Sequence, residues 1–361
     1  MAVIKTSTNW SSFFNSLLSW YAENKRSLPW RKIKDPYSIW ISEVMLQQTQ
    51  VTSVIPYYER FLKEFPSLGT LAAAPLEKVL KTWEGLGYYS RARHLHDTAK
   101  EVREKYGGEL PSHHKDLMKL PGIGDYTAGA VASIAFGEPV PVADGNVWRV
   151  FSRILLLEEL PSAGKRKILK FLSKFIPKFD PSLFNQAVME LGALICAPEN
   201  PSCRICPVKE FCRAFHEEKI SEYPKKASKK EIPHKIWAVL GAVCQGKILL
   251  RKREEKGLWE GLWDLPSASI AKQSEAGEQF QNMVEKFYLE VLSKTISLPP
   301  IKHLLSHFKL TLYPFAVEVK NNPDVKGYSW IDYENNPHPI PVPYLKIIRM
   351  IKHKMQNMRQ Y

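Results

Sequence analysis

The chain has 361 residues, of which 44% are hydrophobic and 24% are charged, a composition typical of a folded protein of about two domains. This excludes the disordered, collagen-like and disulfide-scaffold classes, and no apolar run approaches the roughly 18 residues that a membrane-spanning helix needs. Lysine and arginine number 51 against 37 aspartate and glutamate, and the net charge of +14 favours nucleic acid over a membrane surface as partner. Because the first residues lack the apolar core of a secretory signal, we expect a cytoplasmic protein if the source is bacterial.

The first two thirds of the chain show the periodicity of amphipathic helices. Apolar residues repeat at helical spacing between residues 10 and 21, again after Pro75, and again between residues 92 and 106. Two glycines close the last of these stripes, as is usual at the end of a helix. Residues 1–216 are therefore predicted to form a domain of many helices.

The periodicity changes after a lysine-rich segment. Residues 217–235 contain six lysines and two prolines with little that can be buried, and we interpret them as a linker. Residues 237–244 and 247–253 then flank a Gln-Gly turn, as the strands of a β-hairpin do. Residues 236–361 are predicted to form a smaller mixed domain that ends in a helix from Tyr344.

Four of the five cysteines fall within 17 positions with the spacing C-x6-C-x2-C-x5-C: Cys196, Cys203, Cys206 and Cys212. So dense a cluster, in a chain without an export signal, indicates a metal centre rather than disulfides or four unrelated thiols. Zinc and an iron–sulfur cluster both accept four thiolates, and the spacing does not separate them. Cys244 lies in a strand pattern and is predicted to be a buried apolar residue.

A glycine-rich turn lies in LPGIGDYTAGA, residues 120–130, between two helical patterns. Gly122 and Gly124 allow the backbone to turn tightly with no Cβ in the way, which leaves N–H groups pointing outward at a helix start. That arrangement binds a phosphate without reading the base sequence. A plain connection between two helices is the alternative.

Two acidic residues stand out by their surroundings. Glu43 lies among apolar residues, where a charged side chain is costly unless it is functional, and desolvation would raise its pKa and keep a proton available. The alternative for Glu43 is the solvated face of its helix. Asp144 stands at the start of a predicted helix, where an ordinary N-cap is the alternative and both roles are compatible.

These motifs resemble a known group of proteins. The cysteine spacing and residues 120–130 are similar to the iron–sulfur loop and the helix-hairpin-helix motif of the endonuclease III superfamily of base-excision DNA glycosylases. More specifically, nearly the whole chain resembles the MutY-type adenine DNA glycosylases, through SEVMLQQTQ (42–50), LPWR (28–31), WEGLGYYSRA (83–92) and DGNVWRV (144–150). The resemblance implies an all-α glycosylase domain with a [4Fe-4S] cluster on the four cysteines, followed by an α+β Nudix-like domain.

The resemblance also implies a reaction. The family hydrolyses the N-glycosidic bond of adenine mispaired with 8-oxoguanine or guanine in double-stranded DNA, by base flipping and an oxocarbenium-like state. Glu43 would protonate N7 of adenine and Asp144 would stabilise the sugar cation, with Tyr126 and Asn146 orienting Asp144 and the sugar. Superfamily members that also cut the strand carry a lysine at the position of Tyr126. Because a phenol cannot form a Schiff base, we expect no efficient lyase activity.

Further residues are implied in binding. Trp30, Arg31, Leu46 and Val51 would line the adenine pocket, and Glu190 would hydrogen-bond the flipped base. Each of these has core packing as its alternative.

A second set is implied at the opened duplex. Gln48, Leu86 and Tyr88 are placed like the family's minor-groove wedge, with Thr49 touching the opposite base. Packing at a helix start is the alternative for Tyr88.

The second domain resembles the MutT-like domain with which this family inspects the base opposite adenine. It lacks the R-E-x-x-E-E glutamates that hold Mg²⁺ in pyrophosphatases of that fold, so recognition rather than catalysis is expected. Ser306 and His307 match the family's Phe-Ser-His turn, in which the serine bonds to 8-oxoguanine, whereas Leu305 replaces the aromatic residue. An ordinary strand hydroxyl is the alternative for Ser306.

Two other functions are consistent with parts of the sequence. An endonuclease III-type glycosylase and lyase for oxidised pyrimidines is opposed by Tyr126 and by the extra domain. A non-catalytic DNA-binding protein is opposed by the presence of both Glu43 and Asp144. We expect a monomer, and no motif identifies a partner among replication or repair proteins.

Overall fold

The computed structural model describes residues 9–226 and 231–358. Residues 227–230 of the predicted linker and residues 1–8 lie outside this description. Two compact units make up the chain: the first comprises residues 1–73 and 94–229, and the second comprises residues 74–93 and 230–361. None of the described helices combines the length and the apolar character needed to cross a bilayer.

The chain is helical up to the cysteine cluster. Short 3₁₀ turns lie between several helices, including one at Pro29–Arg31 and one at Cys203–Ile205. The helices are α1 (Trp10–Asn24), α2 (Pro36–Leu46), α3 (Val51–Glu64), α4 (Leu68–Ala73), α5 (Leu76–Thr82), α6 (Ser90–Lys105), α7 (His114–Leu117), α8 (Asp125–Phe136), α9 (Gly145–Leu155), α10 (Pro161–Leu172), α11 (Pro181–Leu194) and α12 (Arg213–His216).

The helices predicted from periodicity are confirmed. α1 begins at an Asn9 N-cap, whose Oδ1 accepts a hydrogen bond from Ser12 N at 3.1 Å, and it buries the predicted apolar stripe. α6 ends before Gly107 and Gly108, whose φ angles of 66° and 89° only glycine adopts readily. Pro75 precedes α5 as its N-cap residue.

The core of the first unit joins helices that are distant in sequence. α1 packs on α11, and α11 packs on α9, around rings such as Phe14 and Phe184, whose centroids are 4.7 Å apart. α11 approaches α9 so closely at Gly192 that a Cβ there would lie 2.5 Å from the Cβ of Asn146. This close approach fixes the start of α9, and Asp144 is the N-cap of that helix.

The second unit is built on one mixed sheet. β1 is parallel to β7 and antiparallel to β2 and β4, and the central order is β3-β2-β1-β7-β5. β6 pairs with β7, and β8 pairs with β2. The elements are β1 (His234–Cys244), β2 (Lys247–Lys252), β3 (Trp263–Asp264), β4 (Ser267–Ile270), α13 (Ala276–Lys286), β5 (Ile296–Ser297), β6 (Ile301–Leu304), β7 (Lys309–Glu318), β8 (Tyr328–Asp332) and α14 (Val342–Met358).

The two longer helices cover opposite faces of this sheet. Alternate residues of β1, such as Ala238 and Leu240, pack in one cluster with Phe280 of α13. On the other face, a Cβ at Gly241 would lie 2.3 Å from Ile351 of α14. The α+β fold expected for this part of the chain is thereby confirmed.

The predicted hairpin is also confirmed. Cys244 pairs with Lys247 across a two-residue turn in which Gln245 and Gly246 have φ angles of 48° and 80°. Positive φ at both positions gives a turn whose twist matches that of the strands. Cys244 is buried, as predicted.

Residues 74–93 belong to the second unit, although in sequence they lie among the helices of the first. The boundaries 1–216, 217–235 and 236–361 therefore remain a proposal that follows sequence order rather than packing. The predicted linker is not open throughout, because the Tyr223 ring is buried with Leu156 and Ala214. Tyr223 O also accepts a 2.9 Å hydrogen bond from Arg153 Nε.

Candidate active site

A cavity of about 780 Å³ lies among the helices of the first unit. Its walls are formed mainly by α2, the starts of α3, α8 and α9, and α11. The structure brings together in this cavity the predicted residues Trp30, Arg31, Glu43, Leu46, Gln48, Thr49, Val51, Gly122, Gly124, Tyr126, Asp144, Asn146 and Glu190.

Glu43 is the buried acid of this cavity. Only 6% of the residue is exposed, so the alternative of a solvated helix face is wrong. Burial and, to a smaller extent, the nearby charge of Asp144 raise the pKa of Glu43, and they outweigh the hydrogen bond from Tyr126 and the charge of Arg31, which lower it. The resulting pKa is about 7. The Tyr126 hydroxyl donates to Glu43 Oε2 at 2.9 Å. Glu43 can therefore hold a proton near neutral pH.

Asp144 is held rigidly at the start of α9. Its Oδ1 accepts from Val147 N at 2.7 Å, which confirms the N-cap, and its Oδ2 accepts from Asn146 Nδ2 at 2.8 Å. Burial raises the pKa of Asp144 above its ordinary value, although these hydrogen bonds and the charge of Lys165 oppose the rise. A carboxylate fixed in this way supplies a localised negative charge at the cavity wall.

Glu190 is clamped by two arginines. Burial raises the pKa of Glu190, but hydrogen bonds from Arg26 and Arg31 outweigh it and lower the pKa to about 2. Five hydrogen bonds of 2.7–3.0 Å, from the side chains of both arginines and from Arg26 N, engage both carboxylate oxygens. A hydrogen bond donated by a flipped base to the Glu190 carboxylate stays a prediction.

The apolar wall consists of Trp30, Leu46 and Val51. The Trp30 indole is 7% exposed and meets the Tyr58 ring edge-on, with centroids 5.3 Å apart. Leu46 and Val51 remain partly exposed at the cavity. Trp30 therefore packs in the core and lines the cavity at once.

The structure requires glycine at only one of the two hairpin positions, Gly122 and Gly124. Gly122 has a φ of 69°, and a Cβ there would lie 2.4 Å from the Cβ of His94, so only glycine fits. Gly124 has a φ of −88°, and a Cβ there would meet nothing within 4 Å. Contacts within the protein therefore do not require a glycine at residue 124, and the open space beside it lies at the start of α8. Its role in leaving room for a phosphate stays a prediction.

The remaining predicted DNA contacts lie in the second unit. Leu86 is buried, whereas Tyr88 is 47% exposed and has a φ of 48°. Ser306 and His307 are exposed in the turn between β6 and β7. The Ser306 Oγ lies 3.5 Å from the Tyr88 hydroxyl. Within the second unit, the structure thus brings Tyr88 of the predicted wedge beside Ser306 of the predicted reader.

The four clustered cysteines line one cavity together with Arg153 and Lys209. Within residues 9–226 and 231–358, no three His, Cys, Asp or Glu side chains are grouped as for a single metal ion. Arg153 is 2% exposed, and its Nη1 lies 3.3 Å from Cys196 Sγ. A cavity lined by four cysteines, one of which lies beside a buried guanidinium, suits a bound group of net negative charge, such as a thiolate-ligated iron–sulfur cluster.

Sequence reasoning missed two arginines and one glycine at this site. Arg26 clamps Glu190, and Arg149 donates from Nη2 to Asn146 Oδ1 and to Gly192 O, both at 2.8 Å. Arg149 Nε also donates to Cys196 O at 2.7 Å. Gly192 stands two residues after Glu190 in the run before the cysteines, and a glycine inside a helical pattern is a signal of close packing.

Comparisons with known proteins agree with this geometry. Residues 41–178 match the family model of the HhH-GPD superfamily of base excision DNA repair proteins, and residues 238–350 match the NUDIX domain model. The chain is 36% identical to the adenine DNA glycosylase of Buchnera aphidicola subsp. Baizongia pistaciae, covering 94% of this chain and 97% of that one. It is 33% identical to the adenine DNA glycosylase of Mus musculus, over 97% and 80%.

Among solved structures, the chain is similar to a thermostable thymine-DNA glycosylase, with a TM-score of 0.54 and 29% identity. That similarity covers 57% of this chain and 96% of the other. A non-covalent endonuclease III–DNA complex is similar at a TM-score of 0.50 and 26% identity, over 57% of this chain and 94% of that one.

Proposed function

The chain belongs to the adenine DNA glycosylase family of base-excision repair enzymes, and we propose that its substrate is adenine mispaired with 8-oxoguanine or guanine in double-stranded DNA. The observation that carries the proposal is the pairing in one cavity of a proton-holding Glu43 with a fixed Asp144. We propose that the protein acts on DNA as a monomer, and in a bacterium this places it in the cytoplasm.

The two carboxyl groups divide the chemistry between them. Breaking an N-glycosidic bond leaves electrons on the base and a positive charge on the sugar. Glu43 gives its proton to N7 of adenine, which makes the base a better leaving group. Asp144, held by Asn146 and Val147, lies where its negative charge stabilises the oxocarbenium-like state, and water completes the hydrolysis.

Tyr126 and Asn146 support these two groups. The Tyr126 hydroxyl, expected to orient Asp144 and the sugar, donates its 2.9 Å hydrogen bond to Glu43 instead, so we propose that it orients the acid. Tyr126 occupies the position that carries a lysine in strand-cutting relatives of the superfamily. We therefore propose a monofunctional enzyme without efficient lyase activity. Lys165 also lines the cavity, so borohydride trapping should be compared between the parent and Lys165→Ala. If borohydride traps the parent protein on DNA as efficiently as it traps a lyase, this proposal is contradicted.

The flipped adenine occupies the cavity beside Trp30, Leu46 and Val51. Stacking on apolar and aromatic side chains replaces the stacking that the base loses on leaving the duplex. Arg31 and Glu190 supply the polar edge of the pocket, with the carboxylate fixed by its clamp until the base arrives.

The opened duplex is read from the other strand. Tyr88, with Leu86 and Gln48, fills the space that the adenine leaves, and Thr49 touches the base opposite it. Ser306, next to Tyr88, donates to or accepts from 8-oxoguanine, and His307 lies beside it in the same turn. Gly122 and Gly124 open the start of α8 to a backbone phosphate.

We propose a [4Fe-4S] cluster as the cofactor of the cysteine cavity. Cys196, Cys203, Cys206 and Cys212 would hold it as thiolates, and buried Arg153 offsets their negative charge. The bound cluster supplies structural cross-linking of the loop. The purified protein should therefore absorb visible light and contain iron, whereas a colourless protein with zinc contradicts this assignment.

The decisive experiment measures excision under single-turnover conditions on duplexes with adenine opposite 8-oxoguanine, guanine or thymine. The parent should excise adenine from the first two and leave the third intact. Glu43→Gln should bind the 8-oxoguanine duplex with unchanged affinity and excise no adenine. An unchanged excision rate removes Glu43 from the mechanism. Excision of oxidised pyrimidines instead of adenine contradicts the proposed substrate.

A further inference from the structure

Helix α5 and the segment after it are tied to the C-terminal part of the chain by an ionic cluster around Glu77, inside the second unit. Glu77 Oε1 accepts from Trp263 Nε1 at 2.7 Å and lies 2.5 Å from His338 Nδ1. Lys252 Nζ lies 3.8 Å from the other carboxylate oxygen. The rings of Trp263 and His338 are stacked, with centroids 4.2 Å apart, so these two ring partners of Glu77 hold each other in one orientation.

A second set of hydrogen bonds connects the backbone of residues 338–340 to side chains that follow Glu77 in the chain. Glu84 Oε1 accepts from Ile340 N at 2.7 Å, and Lys81 Nζ donates to His338 O at 3.0 Å. The Tyr89 hydroxyl donates to Ile340 O at 3.4 Å. Residues 338–340 are thus hydrogen-bonded by side chains on both sides of Tyr88 in the chain.

Tyr88 is rigidly placed within its own segment. Gly85 and Gly87 have φ angles of 100° and 78°, which makes two sharp turns around Leu86. The guanidinium of Arg91 lies 5.2 Å from the Trp83 ring and 5.4 Å from the Tyr88 ring, and its Nη2 donates to Gly87 O at 3.1 Å. A displacement of α5 is therefore passed on to the Tyr88 ring rather than absorbed by a loose loop.

We propose that Glu77 is a positioning residue for lesion recognition, which fixes Tyr88 at the distance from Ser306 that lets both side chains meet one base. The inference rests on the roles proposed above for Tyr88 and Ser306. A carboxylate that is hydrogen-bonded by two oriented side chains sets geometry more narrowly than the apolar packing of Leu80 alone. Holding the two side chains in register before DNA binds lowers the ordering cost of the complex with 8-oxoguanine.

The test compares Glu77→Ala with the parent by single-turnover excision on adenine opposite 8-oxoguanine and opposite guanine. We expect the ratio of the two rates to fall about tenfold, while the rate opposite guanine stays within about twofold. Glu77→Gln keeps an acceptor for Trp263 Nε1 and should restore part of the ratio. Glu101→Ala, which removes a partly exposed carboxylate paired with Lys105 in the other unit, is the matched control and should leave the ratio unchanged.

A double-mutant cycle with Ser306→Ala separates the possibilities. If Glu77 acts through the reader, the two substitutions together lower the ratio no further than Ser306→Ala alone. A fluorescent base next to the lesion should also report weaker insertion of Tyr88 in Glu77→Ala. If Ser306→Ala lowers the ratio and Glu77→Ala does not, this inference is overturned while the proposed function stands. Equal loss on both substrates with a lower melting temperature gives Glu77 a purely structural role and also overturns it.

Discussion

At the scale of single residues, Glu43 balances burial against one hydrogen bond. Burial raises its pKa and the hydrogen bond from Tyr126 lowers it, and the balance leaves the pKa at about 7. The protonated form, which donates to the leaving base, therefore prevails below about pH 7 and is lost as the pH rises through that value. Excision should decline on the alkaline side for this reason.

Tyr126→Phe tests this balance. Without the hydroxyl, the ionised form of Glu43 loses a stabilising hydrogen bond, so the pKa of Glu43 rises and the alkaline decline moves to higher pH. Single-turnover rates between pH 5.5 and pH 9 measure the shift, with Tyr106→Phe beyond the end of α6 as the control. A decline that moves to lower pH contradicts the assignment of Glu43 as the acid.

Glu43→Gln should stabilise the protein at alkaline pH. Since the pKa is raised in the folded state, the folded chain binds the proton more tightly than the unfolded chain, and stability falls as pH rises from about 4.5 to about 7. Glutamine carries no proton to lose. Its advantage in unfolding free energy should be about 2 kcal/mol larger at pH 8 than at pH 5.5, as measured by urea unfolding. An advantage independent of pH contradicts this account.

At the scale of elements, the contact between α9 and α11 sets the position of Asp144. A Cβ at residue 192 would lie 2.5 Å from the Asn146 Cβ and 3.1 Å from its Cα, so the helices must separate to admit it. Gly192→Ala should therefore slow excision at least about tenfold and destabilise the fold by about 1–3 kcal/mol. Gly277→Ala in α13, where a Cβ meets nothing within 4 Å, is the control. An unchanged rate in Gly192→Ala would show that α9 tolerates the shift.

The difference between what the sequence predicted and what it did not has a physical origin at this scale. Glu43 and Asp144 were identified because an acid among apolar residues and an acid before a helix are local patterns. Arg26 and Arg149 were missed because their partners, Glu190 and Cys196, lie 164 and 47 residues away. A pairing over such separations leaves no periodicity in the chain, and an arginine is the residue that a surface would carry anyway.

At the scale of the whole molecule, the two units are not two consecutive stretches of sequence. Residues 74–93 pack with residues 230–361, and no composition change marks that excursion. The hydrophobic pattern of α5 is that of any amphipathic helix, so it predicts a buried face without saying which core receives it. The order of domains was predictable, whereas this exchange of one segment was not.

Truncation after Lys235 should expose this dependence. Removal of residues 236–361 takes away the bonds that Glu77, Glu84 and Tyr89 make to that part of the chain, so amide hydrogen exchange should quicken within residues 74–89. Exchange within α9, whose core lies in the first unit, should change little. Slow exchange throughout residues 74–89 in the truncated protein would show that this segment is stable without residues 236–361.

The placement of residues 74–93 also constrains how such chains can be recombined. A chimera of two relatives joined at the lysine-rich segment would combine α5 from one parent with the Trp263 and His338 strip from the other. If residues 74–93 and the residues they contact differ between the two parents, the chimera would pair side chains that do not fit each other. An exchange that keeps its selectivity has to move two separate stretches of the gene at once, so shuffling libraries with a single crossover should be poor in lesion-selective enzymes.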